Sequence, residues 1–204
     1  MRVLVTREEL VARVESLGHE ALLCELIRVE PLGDDPIDAG AYDWLVITSR
    51  NGAHELARRG VTANRIAAIG PATAEALRAH GLRVDLVAAV HTQEGLREAL
   101  PEGTVLLAAA EGARRDVLGA DFLPLYRTTE LRPEVPDSDV ALLMSGSAAR
   151  ALAATGARVP VVAIGPQTAA EAQAAGLEVA AVAAGHDLDG LVEALRSLSW
   201  SSPS

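Results

Sequence analysis

The feature that most constrains this 204-residue chain is an internal repeat: RIAAIGPATAEALRAHGLRVDLVAAVHTQEGLREAL lines up with PVVAIGPQTAAEAQAAGLEVAAVAAGHDLDGLVEAL at a constant offset of 95 residues. Ile69, Gly70, Pro71, Thr73, Gly81, Leu82, Gly95 and Leu96 recur as Ile164, Gly165, Pro166, Thr168, Gly176, Leu177, Gly190 and Leu191. Upstream, TSRNGAHELA matches MSGSAARALA with one residue of slack. The copies do not cut the chain in half, because the opening VLVTRE resembles VLLAAAEG, and each of these units precedes a proline-bearing segment. A permuted pair of lobes follows, in which the chain starts one lobe, crosses to build the other, and returns to finish the first.

Periodicity predicts what each lobe is made of. Strands are expected at residues 2–6 and 21–29 around a helix stopped by Gly18, then at DWLVITS, IAAIG, VDLVAA and VLLAAA. Helices are expected over 51–59, 72–80 and 93–100, with a short helical piece after VLLAAA and a strand at 123–127. VALLMS, VVAIG and EVAAVAA continue as strands, followed by helices over 148–155, 167–175 and 188–198. Short apolar strands alternating with helices give parallel sheets covered on both faces, so the class is α/β. The expected lobes are residues 1–32 with 136–204, a discontinuous lobe, and residues 37–131. Connectors are expected at 30–37 and 128–137, with a cleft between the lobes. The tail from Ser199 to Ser204 is expected to be disordered apart from docking of Trp200.

Composition excludes several chemistries. All 18 basic residues are arginine, which removes lysine Schiff bases, pyridoxal phosphate attachment and the Walker phosphate loop. A net charge of -10 repels nucleic acid and anionic lipid, so neither is an expected partner. Cys24, the single cysteine, sits in the apolar run ALLCELI and reads as a small core residue, in keeping with a reducing cytoplasm. No apolar run approaches the roughly 20 residues that span a bilayer, and MRVLVTREEL carries charge where a signal peptide needs its apolar stretch. A soluble, cytoplasmic chain that begins directly with its fold is expected.

Conventional catalytic machinery is not visible. SGSAA at residues 145–149 lacks the strained GxSxG turn and reads as a serine-capped helix start. His19, His54, His80, His91 and His186 are never three or four apart and have no cysteine near them, so no metal site is readable. There is no GxGxxG, and carboxylate pairs such as Glu8-Glu9 and Asp34-Asp35 read as solvated surface. What stands out is the doubled strand-Gly-Pro-x-Thr-helix junction, Gly70-Pro71-Ala72-Thr73 and Gly165-Pro166-Gln167-Thr168. Glycine permits the turn, proline suits the first helical turn, and threonine can bond the free N–H groups. Such a junction leaves a donor-rich helix end at the carboxyl edge of a parallel sheet, where anions are favoured. Thr48, Ser49, Arg50 and Asn51, the Ser145-Gly146-Ser147 segment, and Thr6 with Arg7 are expected at the same edges. Together they suit a large polyanionic small molecule.

In order along the chain, VLVTRE, YDWLVITSRNGA, AAIGPATAEAL, AAEGARRDVL with LPLYRTTE, and VVAIGPQTAAEAQAAGL with DLDGLVEAL resemble the successive motifs of the uroporphyrinogen-III synthase family. The resemblance implies two flavodoxin-like α/β lobes joined by a two-stranded connector. It implies a lyase that closes linear hydroxymethylbilane, with loss of water and inversion of ring D, to uroporphyrinogen III in haem biosynthesis. No metal or organic cofactor is implied, and the partner is the polyanionic tetrapyrrole, met by a monomer. Carried onto this chain, Thr73 and Thr168 are the leading cleft residues and candidates for a catalytic role. Thr48 to Asn51 and Ser145 to Ser147 come next, with backbone N–H groups doing most of the binding.

Two departures from the family pattern matter. Many members carry a tyrosine in the helix after the second serine turn, whereas SGSAARALAA has Arg150 and Ala151, and Tyr126 in LPLYRT reads as a packing residue. The helix between ARRDVL and FLPLYRT is nearly absent, and part of the first helix between Arg7 and Gly18 is missing. The alternative these departures leave open is a non-catalytic relative that keeps an anion-receptive cleft.

Overall fold

The structure, a computed structural model, describes residues 1–185 and 187–198, so His186 and the tail with Trp200 lie outside the described residues. The chain begins β1 (Arg2–Val5), a 3-10 turn (Glu8–Leu10), α1 (Val11–Glu15), β2 (Glu20–Leu23) and β3 (Ile27–Pro31). It continues β4 (Ile37–Ala39), β5 (Trp44–Ile47), α2 (Arg50–Arg59), β6 (Val61–Ala63), β7 (Ile66–Ala68), α3 (Pro71–Ala79), β8 (Leu86–Val87) and α4 (Gln93–Ala99). Then follow β9 (Val105–Ala110), β10 (Asp121–Glu130), β11 (Val140–Leu143), α5 (Gly146–Ala154), β12 (Val161–Ala163), α6 (Pro166–Ala174), β13 (Val179–Val182) and α7 (Leu188–Arg196).

Residues up to Arg28 and from Thr129 on form one compact unit, and Val29–Thr128 form another. In the first, five strands lie in the order β13-β12-β11-β1-β2, all parallel. Taken in chain order this is the 2-1-3-4-5 arrangement of flavodoxin-like sheets. Central β11 is buried along its whole length, while edge strand β13 alternates between exposed and half-buried residues. The difference follows from covering both faces of the middle strands. Neighbouring residues point to opposite faces, so Leu4, Ala141 and Leu143 meet Ala148, Leu152 and Ala172, while Val3, Val5 and Leu142 meet Leu10, Val14, Leu191 and Leu195. Alanine on α5 and α6 lets those helices lie close to the sheet and to each other.

The second unit has six strands in the order β3-β10-β9-β5-β7-β8. Its last five occupy the places of β2-β1-β11-β12-β13, so β9 stands where β1 stands in the other unit. That equivalence explains why VLVTRE resembles VLLAAAEG despite their distance in sequence. Leu45, Ile47, Ile66 and Ala68 pack against Leu56 and Leu77, and Val46, Ala67 and Leu107 pack against Leu96. The two chain crossings are neighbouring strands, β3 and β10. Backbone bonds from Leu32 N–H to Leu125 O and from Leu131 N–H to Leu26 O, both 2.8 Å, give them opposite directions.

The repeated glycines after α3 and α6 have a backbone reason. Gly81 and Gly176 adopt φ of +75° and +84°, and Leu82 and Leu177 N–H return to Leu77 and Ala172 O. This is the glycine-terminated helix stop that L side chains resist.

Four expectations need correction. The strand expected over 21–29 is two strands, broken so that Cys24 and Leu26 turn into the core. The short helix expected after VLLAAA is absent, and residues 111–120 run as turns. Segment VDLVAA forms only the two-residue β8. The polar segment 30–38 holds the end of β3 and the start of β4, which pairs in parallel with β6 as a small separate sheet.

Candidate functional site

Because every strand of the first unit's sheet runs in one direction, its carboxyl edge gathers the segments that follow β1, β11 and β12, three consecutive strands. These carry Thr6 and Arg7, then Ser145, Gly146 and Ser147, then Gly165, Pro166 and Thr168. In the second unit, adjacent β5 and β7 deliver Thr48, Ser49, Arg50 and Asn51 beside Gly70, Pro71 and Thr73. Each set collects at the edge where open α/β sheets take ligands. Pro71 and Pro166 occupy the first helical positions and are exposed, whereas Thr73 and Thr168 are buried.

The helix starts are not equivalent. Ser49, Thr92, Ser145 and Asp187 cap α2, α4, α5 and α7, each side chain accepting from the N–H three residues on. The starts of α3 and α6 have glycine at that position and no side-chain cap. Thr73 and Thr168, expected to bond free N–H groups, do not do so; as third residues of their helices they face inward instead of standing at the cap. The α5 start also has a carboxylate beside it, because Glu171 lies over Gly146, where a Cβ would come 2.3 Å from Glu171 Cδ. Glu171 is held there by Arg150, which also bonds Glu130. Among the described residues the doubled Gly-Pro-x-Thr turns thus give their first-turn donors no side-chain cap, and that is the arrangement that receives an anion.

Around these starts the polar groups are tied in place. Tyr126, 5% exposed, packs in the second unit's core and places its hydroxyl 2.8 Å from Ser49 Oγ, which also accepts from Gly52 N–H at 3.0 Å. Burial pushes the Tyr126 hydroxyl above its ordinary pKa, and the Ser49 bond partly opposes that rise. Tyr126→Phe is expected to lose about 1 kcal/mol of stability. Chemical denaturation checks this, and an unaltered midpoint would show that the bond carries no net stability. After β9, Glu111 accepts two bonds from Arg127, at 2.7 and 2.9 Å, and this guanidinium holds its carboxyl below the usual range. Arg7 is exposed on extended backbone and pairs with no carboxylate among the described residues.

Sequence spacing missed a histidine pair: His54 Nδ1 lies 2.7 Å from His80 Nε2, on α2 and just past α3. No group of three or more metal-ligand side chains occurs among the described residues. A pocket of about 500 Å³, lined by Tyr42, Arg59, Asp121 and Phe122 among others, opens where β9 and β10 begin. It shares no residue with the helix starts. Cys24 directly follows β2, its N–H bonded to Val5 O, and is buried in the core, which pushes its thiol upward in pKa.

A family model described as uroporphyrinogen-III synthase HemD matches residues 8–193. A protein of Archaeoglobus fulgidus carrying a provisional uroporphyrinogen-III synthase assignment is 29% identical over 230 residues, spanning 97% of this chain and 99% of its own length. A crystal structure of a mutant uroporphyrinogen III synthase from the extremely thermophilic bacterium Thermus thermophilus superposes with a TM-score of 0.67 at 18% identity, covering 96% of this chain and 97% of that one. The wild-type protein in another crystal form gives 0.52 at 19% identity, with 96% of each chain covered. At these identities the superpositions establish a shared fold.

Proposed function

The chain belongs to the uroporphyrinogen-III synthase family, and from that premise we propose that the uncapped starts of α3 and α6 hold carboxylates of its substrate. The family's reaction is a lyase reaction of tetrapyrrole biosynthesis: linear hydroxymethylbilane loses water and closes with ring D inverted, giving uroporphyrinogen III. The observation that carries the site reading is the contrast between four self-capped helices and the two Gly-Pro-x-Thr helices that lack such a cap. Hydroxymethylbilane bears four acetates and four propionates, so open backbone donors match its charge without a cluster of basic side chains.

The chemical task is largely conformational. After water loss the free azafulvene closes on the nearer position of ring D, giving isomer I, and the protein must favour the spiro route to isomer III. A hundredfold preference requires about 2.7 kcal/mol of differential stabilisation. Hydrogen bonds to charged groups contribute roughly 1.5–3 kcal/mol each, so a few that hold the side chains in one geometry are enough. Thr6, Thr48, Ser49, Asn51, Ser145 and Ser147 then shape the edges around the bound anion. Thr73 and Thr168 are buried side chains of the same two first turns. Incubation with freshly generated hydroxymethylbilane followed by chromatography of the oxidised porphyrins tests the reading. Isomer III at an accelerated rate is expected, and isomer I alone at the spontaneous rate would favour a non-catalytic binding module instead.

Arg7 and Arg50 supply longer-range attraction in this reading. Arg7→Ala is expected to raise KM several-fold at low ionic strength and progressively less as salt is added. A salt-independent effect on kcat would assign Arg7 a different role. We also infer a cytoplasmic monomer. No helix among the described residues is long and apolar enough to cross a membrane, and the exposed large hydrophobics there are Leu23, Val90 and Val182, which form no broad patch in sequence or on one element. Sedimentation of the purified chain checks its oligomeric state.

A further inference from the structure

We propose that His91 contacts the substrate, its imidazole donating a hydrogen bond to a carboxylate seated at the start of α3. The proposal rests on the reading of that helix start given above and adds a side chain to it. His91 lies in the loop from β8 to α4, and β8 is the neighbour of β7, whose end leads into Gly70. The loop therefore reaches the same carboxyl edge.

The imidazole lies directly on Gly70. A Cβ there would come 3.0, 3.2 and 3.3 Å from His91 Cγ, Cδ2 and Cβ. Gly70 has extended backbone, φ -174°, which any residue adopts. The glycine thus leaves room for the ring, which a Cβ would push back by a few tenths of an ångström, and does not serve its own conformation. With the Cγ–Cδ2 edge against Gly70, His91 is exposed, and its ring nitrogens have no partner among the described residues. Thr73, in the same helical turn, is 5% exposed, and its hydroxyl likewise has no hydrogen-bond partner among the described residues.

The backbone carrying His91 is fixed on both sides. Thr92 N–H bonds Val90 O at 2.8 Å, Thr92 Oγ1 accepts from Gly95 N–H at 3.1 Å, and Val90 O lies where a Cβ of Gly95 would come within 2.2 Å. The ring is therefore presented from an ordered turn. Val90 beside it is 59% exposed. An apolar surface next to a hydrogen-bond donor suits a pyrrole ring bearing an acid side chain.

The turn recurs in the second copy. Gly185 O stands 2.3 Å from the Cβ position of Gly190, and Asp187 Oδ1 accepts from Gly190 N–H at 2.7 Å. Between Gly185 and Asp187 the sequence again has histidine, His186, 95 residues after His91. The flanking residues differ between the copies, Val90 against Gly185 and Thr92 against Asp187, while the histidine is the same.

The test reads binding of uroporphyrinogen III, the reaction's product, kept anaerobic, and separately KM and kcat for hydroxymethylbilane. His91→Ala should weaken binding and raise KM about tenfold with kcat within about twofold, and His91→Gln, which keeps a donor, should recover most of the loss. Gly70→Ala, whose Cβ displaces the ring, should cost a similar factor in the wild-type background and little in the His91→Ala background. Unaltered binding by His91→Ala, or an equal cost of Gly70→Ala with and without the imidazole, overturns the proposal. A fall in kcat at constant KM does so too, because it makes His91 a group of the chemical step. Tight wild-type binding with no effect of His91→Ala rejects only this role, whereas a wild-type protein that binds no uroporphyrinogen III rejects the functional reading as well.

Discussion

Gly95→Ala should destabilise the second unit by about 3 kcal/mol, the upper part of the range for forced overpacking. The new Cβ would lie 2.2 Å from Val90 O and 2.9 Å from Val90 C, and a backbone carbonyl cannot swing aside as the end of a side chain can. Either the β8–α4 turn opens, giving up the Thr92 cap on Gly95 N–H, or α4 shifts off Trp44 and Leu107. Gly190→Ala should behave alike in the first unit, since its Cβ meets Gly185 O at 2.3 Å. Gly112→Ala is the control: no atom lies within 4 Å of its Cβ position and its φ is not in the left-handed region, so about 0.5 kcal/mol or less is expected. Thermal melting of the three variants decides the matter. Equal melting temperatures for Gly95→Ala and Gly112→Ala would mean that the turn is far softer than its contacts indicate.

Gly165→Ser should move stability and affinity in opposite directions. At this extended position, φ -177° and ψ 172°, a serine hydroxyl can accept from Thr168 N–H just as Ser145 accepts from Ala148 N–H. Serine at a helix cap exceeds glycine by only a few tenths of a kcal/mol, so the melting temperature rises slightly. A substrate carboxylate that loses this donor forfeits about 1.5–3 kcal/mol, a factor of roughly 10 to 150 in kcat/KM. Steady-state kinetics with hydroxymethylbilane gives the second quantity. A stabilised variant with undiminished kcat/KM would show that no carboxylate uses the α6 start.

How much of this was legible in sequence depended on whether the cause was local. Central strands such as VALL and WLVI are apolar throughout because both sheet faces are covered, and that composition is visible without a structure. Proline at the first position of α3 and α6, and glycine just past their ends, mark helix limits for equally local reasons. The break at Cys24 was hidden because ALLCELIRV is continuously suited to strand, and only the pairing of β2 with β1 and of β3 with β10 shows where one ends. The β4–β6 pair was hidden for a similar reason, three-residue strands in polar surroundings being stabilised by a partner over twenty residues away.

The site divided in the same way. The doubled Gly-Pro-x-Thr turns announced themselves by recurrence. Which helix starts stay open did not, because it depends on whether a side chain bends back to its own backbone, as Ser49 and Ser145 do and Thr73 and Thr168 do not. Tyr126 read as packing and does pack in the core; its bond to Ser49, 77 residues earlier, has no local signature. His91 could have been found from the repeat itself, since it is one of the positions identical between copies.

The central claim is that carboxylates sit on the starts of α3 and α6 and leave the self-capped helices alone. Amide proton shifts of the 15N-labelled protein, followed during titration with anaerobic uroporphyrinogen III, test it directly. Ala72, Thr73, Gln167 and Thr168 N–H are predicted to move strongly downfield as they gain a charged acceptor, while Gly52 and Ala148, already bonded to Ser49 and Ser145, stay close to their starting positions. Large shifts at Gly52 and Ala148 with none at the four Gly-Pro-x-Thr amides would contradict the account.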